Sequence, residues 1–318
     1  MEIVVLDAYS VNPGDISWGP MERFGHMTIY DHTPPEQIAE RLKDADVAYT
    51  NRGRLGEAEF AAAPKLRFLG VFATGYDKID RAAARRHGIA VCNVPGYSTY
   101  SVAQHAMALL LAITNRAAVL NTEIRKGRWT QKPGDCSWDA PILELYGKTF
   151  GVLGTGEIGC AAARMAQGFG MRVIGHSRSQ RAAFPGEYVS LEELFTQSDV
   201  LSLHCAATED TRGIINKHSL ALMKPSAILI NTARGALVHS PDLAAALNEN
   251  RLYAAGLDVC ETEPILPDSP LLFAKNCVIT PHSAWIPQEA RKRLIQISAD
   301  NLEAFLNNRK QNRVDEIE

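Results

Sequence analysis

The chain has 318 residues, 46% of them hydrophobic, which suits about two domains with buried cores and argues against disorder. Lys+Arg number 33 against 36 Asp+Glu, a formal net charge of −3, which excludes a strongly basic nucleic-acid surface and an acidic tail. No run approaches the ~18 apolar residues of a membrane span, and Met1-Glu2-Ile3-Val4 lacks a basic signal-peptide start. The six cysteines (Cys92, Cys136, Cys160, Cys205, Cys260, Cys277) lack C-x-x-C spacing. A reducing, cytoplasmic setting without a metal site is therefore expected.

The first hundred residues alternate short apolar runs with helical patterns. Strands are predicted at 3–6, 47–50, 66–72 and 89–94. Helices are predicted at 35–43 and 79–86, the second closed by Gly88. Such alternation means βαβ units and a parallel sheet. Pro95-Gly96 breaks the pattern, and one long helix is expected from Ser98 to Gly127. Its centre is apolar on all sides, so it should be buried between domains or at a subunit interface. Residues 129–145, with Pro133-Gly134, Trp138 and Pro141, have no clear period and read as an irregular arm packed on a second subunit.

A second series follows, with strands at 149–153, 172–175, 200–204, 227–231, 254–259 and 277–280. Helices are expected at 157–169, after Ser190 with Glu193 in a capping box, from Ser240-Pro241, and at 288–306.

Strand 149–153 runs into Gly154-Thr155-Gly156-Glu157-Ile158-Gly159. After a strand and before a helix, this G-x-G-x-x-G is a dinucleotide fingerprint. Gly154 permits the tight turn, Gly156 lets a pyrophosphate reach the amides at the helix start, and Gly159 lets helix and strand pack closely. An acid that bonds the adenosine ribose is expected about 20 residues later. Gly175-His176-Ser177-Arg178-Ser179 carries none. Ser177, Arg178 and Ser179 suit a 2′-phosphate, so NADP(H) is expected, with NAD(H) as the alternative.

In a doubly wound sheet, ligands bind beyond the carboxyl ends of the strands. Three strands deliver Arg234, then Asp258 and Glu263, then His282 to that edge. This is the chemistry of 2-oxo acid reduction. A His donates the proton, a carboxylate orients it, and an Arg forks onto the substrate carboxylate and polarises the carbonyl.

With segments 71–80, 154–159, 231–235, 256–264 and 281–285, the chain resembles the D-isomer-specific 2-hydroxyacid dehydrogenases over nearly its whole length. The resemblance implies an α/β fold of two Rossmann-like domains, with parallel sheets flanked by helices. Residues 1–97 plus 286–318 would form a flavodoxin-like substrate domain, and 98–285 the NAD(P)-binding Rossmann domain. The active site would lie in the interdomain cleft of a homodimer. Arg234 would bind substrate, Glu263 would pair with His282, and His282 would be the acid/base. Asp258 would contact the nicotinamide carboxamide. Backbone amides around Ala73, Thr74 and Gly75 would hold the substrate carboxylate. Val102, Thr155, Glu157, Ile158, Cys205, Ala206, Thr211, Thr232, Ala233 and Ala284 would join the glycines around the cofactor.

Residues 97–104 and Ala284-Trp285 are most similar to the branch that reduces hydroxypyruvate or glyoxylate. Two departures stand out: the missing ribose acid, and His204-Cys205-Ala206-Ala207, which lacks the usual Pro near the adenine. One alternative is a D-lactate-type enzyme for another 2-oxo acid, its pocket set by Arg52, Tyr76, Trp138 and Trp285. Another is a non-catalytic, dinucleotide-sensing protein like the family's corepressors.

Overall fold

Five short apolar strands open the chain: β1 (Glu2–Val5), β2 (His26–Ile29), β3 (Val47–Thr50), β4 (Phe68–Val71) and β5 (Ala90–Cys92). They pair in parallel in the order β2-β1-β3-β4-β5. The computed structural model describes residues 1–131 and 141–316. These divide into two compact units, Met1–Ser98 with Trp285–Glu318, and Thr99–Ala284.

In the first unit, β3 and β4 are buried at every residue, as central parallel strands are. Gly70 is required there, because a Cβ would overlap the Tyr49 ring. The edge strand β2 escapes sequence reading because His26-Met27-Thr28-Ile29 is half-exposed and has no apolar run. The helix expected at 35–43 begins as a 3-10 turn, Pro35–Gln37, before Ile38–Leu42. Asp80 caps Arg81–Arg86 by accepting from the Ala83 amide at 2.9 Å. The helix Gln288–Leu306 packs on this sheet, burying Ala290, Leu294, Ile295 and Leu302, and Tyr49 donates to the Ser298 carbonyl at 3.1 Å.

The second unit carries β6 (Thr149–Leu153), β7 (Arg172–His176), β8 (Glu187–Tyr188), β9 (Val200–Leu203), β10 (Ile228–Asn231), β11 (Ala254–Leu257) and β12 (Cys277–Ile279). Their order is β12-β11-β10-β9-β6-β7-β8, all parallel. The order reverses between β6 and β9, the switch point where such sheets bind ligands. Alternate residues feed opposite faces: Ile228 and Ile230 join Phe150, Val152 and the helix Thr99–Asn115, whereas Leu229 joins Leu201, Leu203 and Leu243.

Several expectations are corrected. The single helix from Ser98 to Gly127 is two helices, Thr99–Asn115 and Ala117–Arg125, bent by 51°. Arg116 makes the break with a left-handed φ of 54°, a conformation that a non-glycine residue does not advertise in sequence. The apolar centre is not buried all round. Ala106, Leu109, Leu110 and Ile113 pack on this unit's own sheet, while Ala108 and Ala112 are exposed. Among the described residues, none in Ala117–Arg125 is buried.

The arm begins with a helical turn, Arg128–Gln131, and Pro133, Gly134, Cys136 and Trp138 lie outside the described residues. The Ser190 capping box forms, with Ser190 Oγ accepting from Glu193 N at 3.2 Å and Glu193 Oε2 accepting from Ser190 N at 2.8 Å. At Ser240–Asn248 the cap residue is His239, and Ser240 Oγ donates instead to Glu261 at 3.3 Å.

Candidate active site

At the switch point, β6 is buried at every residue and ends at Gly154, whose φ of 97° suits glycine. A Cβ at Gly154 would press on the Cys205 backbone, and one at Gly159 would overlap the Gly154 carbonyl. At Gly156, by contrast, a Cβ would meet nothing within 4 Å among the described residues. The loop is therefore tight behind and open in front. Gly156 caps the helix Glu157–Gly168 without a side chain, so its first-turn amides await an acceptor.

Two buried polar atoms at the carboxyl ends of the neighbouring strands β10 and β9 lack partners among the described residues: Thr232 Oγ1 and His204 Nδ1. Burial pushes the His204 imidazole down to about 4, so its ring is neutral at physiological pH. An open glycine cradle, bare amides and orphaned polar atoms fit a dinucleotide.

At the ribose end, β7 finishes at His176, whose Nδ1 lies 3.0 Å from the Val189 carbonyl. Ser177 is half-buried, and Arg178 and Ser179 are exposed. Sequence reasoning missed two neighbours. Arg181 pairs with Glu157 at 2.6 Å, and the Tyr188 hydroxyl joins Thr155 Oγ1 at 2.9 Å to the Arg181 amide at 2.7 Å. Across the switch point, Thr211 Oγ1 donates to the Ala206 carbonyl at 2.7 Å and accepts from Thr208 N at 2.8 Å. That hydroxyl is used within its own loop. Cys205 is half-buried, its thiol pushed up to about 11 by burial. Val102 is buried on the helix Thr99–Asn115.

The catalytic edge is built by the turns after β10, β11 and β12. Asn231, fully buried, was missed by sequence reasoning, although a polar end to the apolar run Ile-Leu-Ile could have marked it. Its Nδ2 donates to the Arg234 carbonyl at 2.9 Å and its Oδ1 accepts from Ala233 N at 3.0 Å, shaping the turn that presents Arg234. Arg234 Nη1 donates to the Ala233 carbonyl at 2.8 Å. Gly235 is required because a Cβ would overlap the Cys260 carbonyl.

Glu263 Oε2 lies 2.7 Å from His282 Nδ1, with the side chains 39% and 40% exposed. Glu263 Oε1 accepts from Cys260 N at 3.2 Å. Burial pushes the Glu263 carboxyl up, but the bond and charge of His282 and the Cys260 amide pull it further down, below the usual glutamate range.

Asp258 is 1% exposed. The resemblance would put it at the nicotinamide, yet its oxygens are engaged within the chain. Oδ1 accepts from Thr280 Oγ1 at 2.6 Å and Ser283 N at 2.8 Å, and Oδ2 from Ala284 N at 2.9 Å. Burial raises its carboxyl, but these bonds and one from His105 more than offset that, so it sits below its ordinary value.

The remaining expected residues belong to the first unit. Ala73, Thr74 and Gly75 follow β4, where Ala73 N donates to the Val71 carbonyl at 2.7 Å. Thr74 Oγ1 donates to Val94 O at 3.0 Å, and Asn93 Nδ2 donates to Thr74 O at 2.7 Å. The buried Asp7 carboxylate accepts the amides of Asn51, Arg52 and Gly53 and so sets the Arg52 loop. Tyr76 lies under the Arg81 guanidinium at 5.1 Å, and the buried Trp285 meets Tyr97 edge-on at 6.5 Å.

A doubly wound sheet with this loop at its switch point, and with Arg, Glu and His at its carboxyl edge, defines a nicotinamide-dependent oxidoreductase. Residues 107–284 match the family described as D-isomer specific 2-hydroxyacid dehydrogenase, NAD binding domain. The chain is 46% identical over 312 residues to a hydroxypyruvate reductase of Blautia hydrogenotrophica, covering 96% of this chain and 97% of that one. It is 42% identical to a glyoxylate reductase of Korarchaeum cryptofilum over 86% of this chain and 84% of the other. An acyclic imino acid reductase, Bsp5, solved with NADPH and D-Arg, superposes with a TM-score of 0.87 at 31% identity, covering 99% of this chain and all of the other. The chain belongs to the D-isomer specific 2-hydroxyacid dehydrogenase family. It is an NAD(P)-dependent enzyme of that family.

Proposed function

We propose that the chain reduces hydroxypyruvate or glyoxylate to the D-2-hydroxy acid, with NADPH as the preferred donor. The 2.7 Å contact of Glu263 Oε2 with His282 Nδ1 carries this reading, because a proton donor held by a carboxylate is what carbonyl reduction needs and what a dinucleotide sensor does not.

The nicotinamide supplies a hydride to the substrate C2 carbon. Every other task falls to the chain. Arg234 forks onto the substrate carboxylate and draws electron density toward the carbonyl oxygen. By the family resemblance, the amides at Ala73, Thr74 and Gly75 donate to the substrate carboxylate. Glu263 holds Nδ1 of His282, which turns Nε2 toward the carbonyl oxygen to deliver the proton. The product leaves with one hydride on carbon and one proton on oxygen, and the imidazole is left neutral.

The open amides at Gly156, Glu157 and Ile158 receive the pyrophosphate. Thr232, Ala233, Val102, Cys205, Ala206, Thr211 and Ala284 border the cofactor. Ser177, Arg178 and Ser179 take the 2′-phosphate, which a carboxylate at that strand end would repel. The NADPH held by Bsp5 supports that choice. A second copy of the chain covers the bare helix Ala117–Arg125, which exposes Val119, Ile124 and, just beyond it, Trp129.

The test is a panel of 2-oxo acids with both cofactors, read at the nicotinamide absorbance band. Fastest turnover of hydroxypyruvate or glyoxylate with NADPH is expected. Preference for pyruvate would assign the D-lactate-type reading, and binding without turnover the sensor reading.

A further inference from the structure

Behind the Glu263–His282 pair lies a polar cluster that the reaction above leaves without a task. His105 sits on the helix Thr99–Asn115, next to the buried Ala106, and its side chain is 23% exposed. Its Nε2 lies 2.9 Å from Thr280 Oγ1 and 3.3 Å from Asp258 Oδ1. The Thr280 hydroxyl donates to Asp258 Oδ1 at 2.6 Å, so its proton is already committed. Only its lone pairs face His105. Nε2 must therefore carry the proton and donate to both oxygens.

Asp258 holds three consecutive amides. Its carbonyl accepts from His282 N at 2.8 Å, Oδ1 from Ser283 N at 2.8 Å, and Oδ2 from Ala284 N at 2.9 Å. The active-site turn is thus held at its first amide by the Asp258 main chain and at the next two by its buried carboxylate. His282 itself has a φ of 54°, a left-handed conformation that a residue with a Cβ keeps only where its surroundings impose it. A buried carboxylate can impose it only while ionised and fully supplied with donors. His105 is the one ring donor among the groups bonded to it; the others are the Thr280 and Ser283 hydroxyls and backbone amides.

We propose that His105 is a positioning residue for the reduction: through Thr280 and Asp258 it holds the 282–284 turn and thereby aims the His282 imidazole. This rests on the reading of His282 as the proton donor. Losing the Nε2 donor keeps both His282 and Glu263 in the chain but lets the turn that carries His282 drift. Misplacement of a reacting group by about 1 Å costs on the order of 100-fold in rate. Cofactor and substrate affinity, which are set mainly by the 154–159 loop, residues 177–179 and Arg234, change little by comparison.

The experiment compares wild type with His105→Leu, His105→Gln, Thr280→Val and His282→Ala in the full-length protein. It measures kcat and KM, the NADPH dissociation constant by fluorescence, the unfolding midpoint, and the rate at which diethyl pyrocarbonate modifies His282. His105→Leu and Thr280→Val should lower kcat by about 10- to 100-fold with KM and NADPH affinity changed far less, and should alter the His282 modification rate. His105→Gln should recover most of the loss, because the glutamine amide donates from nearly the same place. Wild-type kcat in His105→Leu overturns the proposal. So does a joint fall of kcat, NADPH affinity and unfolding midpoint that His105→Gln fails to repair. If His105→Leu does not fold, Thr280→Val and His105→Gln decide by the same readings. Retained turnover in His282→Ala would instead remove the reading of His282 on which the proposal stands.

Discussion

Glu263 accepts from His282, 19 positions along the chain, Oε2 to Nδ1 at 2.7 Å, while its second oxygen is tied to Cys260 N at 3.2 Å. A carboxylate fixed at both oxygens cannot rotate, so the imidazole it holds has one orientation. His282→Ala should cut kcat by about 10²- to 10⁴-fold, the usual worth of a general acid, while NADPH still binds. Stopped-flow single turnovers and a fluorescence titration check the two halves separately.

Arg234→Lys keeps the charge and loses the fork. A bidentate guanidinium is not replaced by an ammonium. Charged hydrogen bonds of this kind are worth about 1.5–3 kcal/mol, so kcat/KM for the 2-oxo acid should fall by roughly 10- to 100-fold with NADPH affinity intact. Steady-state kinetics against substrate concentration would show it, and unchanged kcat/KM would remove Arg234 from the site.

Arg178→Ala should raise KM for NADPH about tenfold or more and leave KM for NADH alone, since only the 2′-phosphate needs that cation. An equal effect on both cofactors would mean that Arg178 does not read the phosphate.

Gly159→Ala places a methyl against the Gly154 carbonyl, where neither backbone can yield. Overpacking of this sort costs about 1–3 kcal/mol. The melting temperature should drop, and NADPH affinity with it, because the same shift distorts the phosphate loop. Gly156→Ala, with open space around its Cβ, should spare stability and weaken cofactor binding.

Asp15 and Arg291 tie the 11–15 loop to the helix Gln288–Leu306 at 2.6 Å. The Arg291 hydrogen bond holds the Asp15 carboxyl down to about 2, from an ordinary 3.8. A depressed carboxyl stabilises the folded state fully above its unfolded value and loses that contribution as pH falls through the folded value. Asp15→Asn should therefore melt earlier than wild type at neutral pH, with the two curves converging as the pH drops from about 4 toward 2. A gap that stays constant with pH would show that the ion pair is not responsible.

Strands such as β3 and β6 are legible in sequence because central parallel strands are continuous apolar runs, and the Ser190–Glu193 box is legible because the capping chemistry is local. The glycine loop and the Arg, Glu and His positions are legible because each lies in the turn that follows a strand. β2 is hidden because an edge strand has little apolar surface to declare. The break at Arg116 is hidden because no glycine or proline marks it. His105 and Thr280 are hidden for another reason: they act on neighbours that only tertiary packing brings to them. Asn231 acts on the next residues of its own turn, and the polar end of an apolar run was the signal for it. Asp258 is visible as a polar residue at a strand end, but its attachment to the 283–284 amides is not.

Hydride delivery to a small 2-oxo acid, with His282 as proton donor, is what sets this chain apart from a dinucleotide sensor. The most direct measurement is the initial rate of NADPH oxidation with hydroxypyruvate and glyoxylate, for wild type and His282→Ala side by side. Wild type should turn over rapidly, and the variant should be slower by at least about 10²-fold at undiminished NADPH binding. Equal rates in the two proteins, or no oxidation of NADPH or NADH by wild type with any 2-oxo acid, would contradict it.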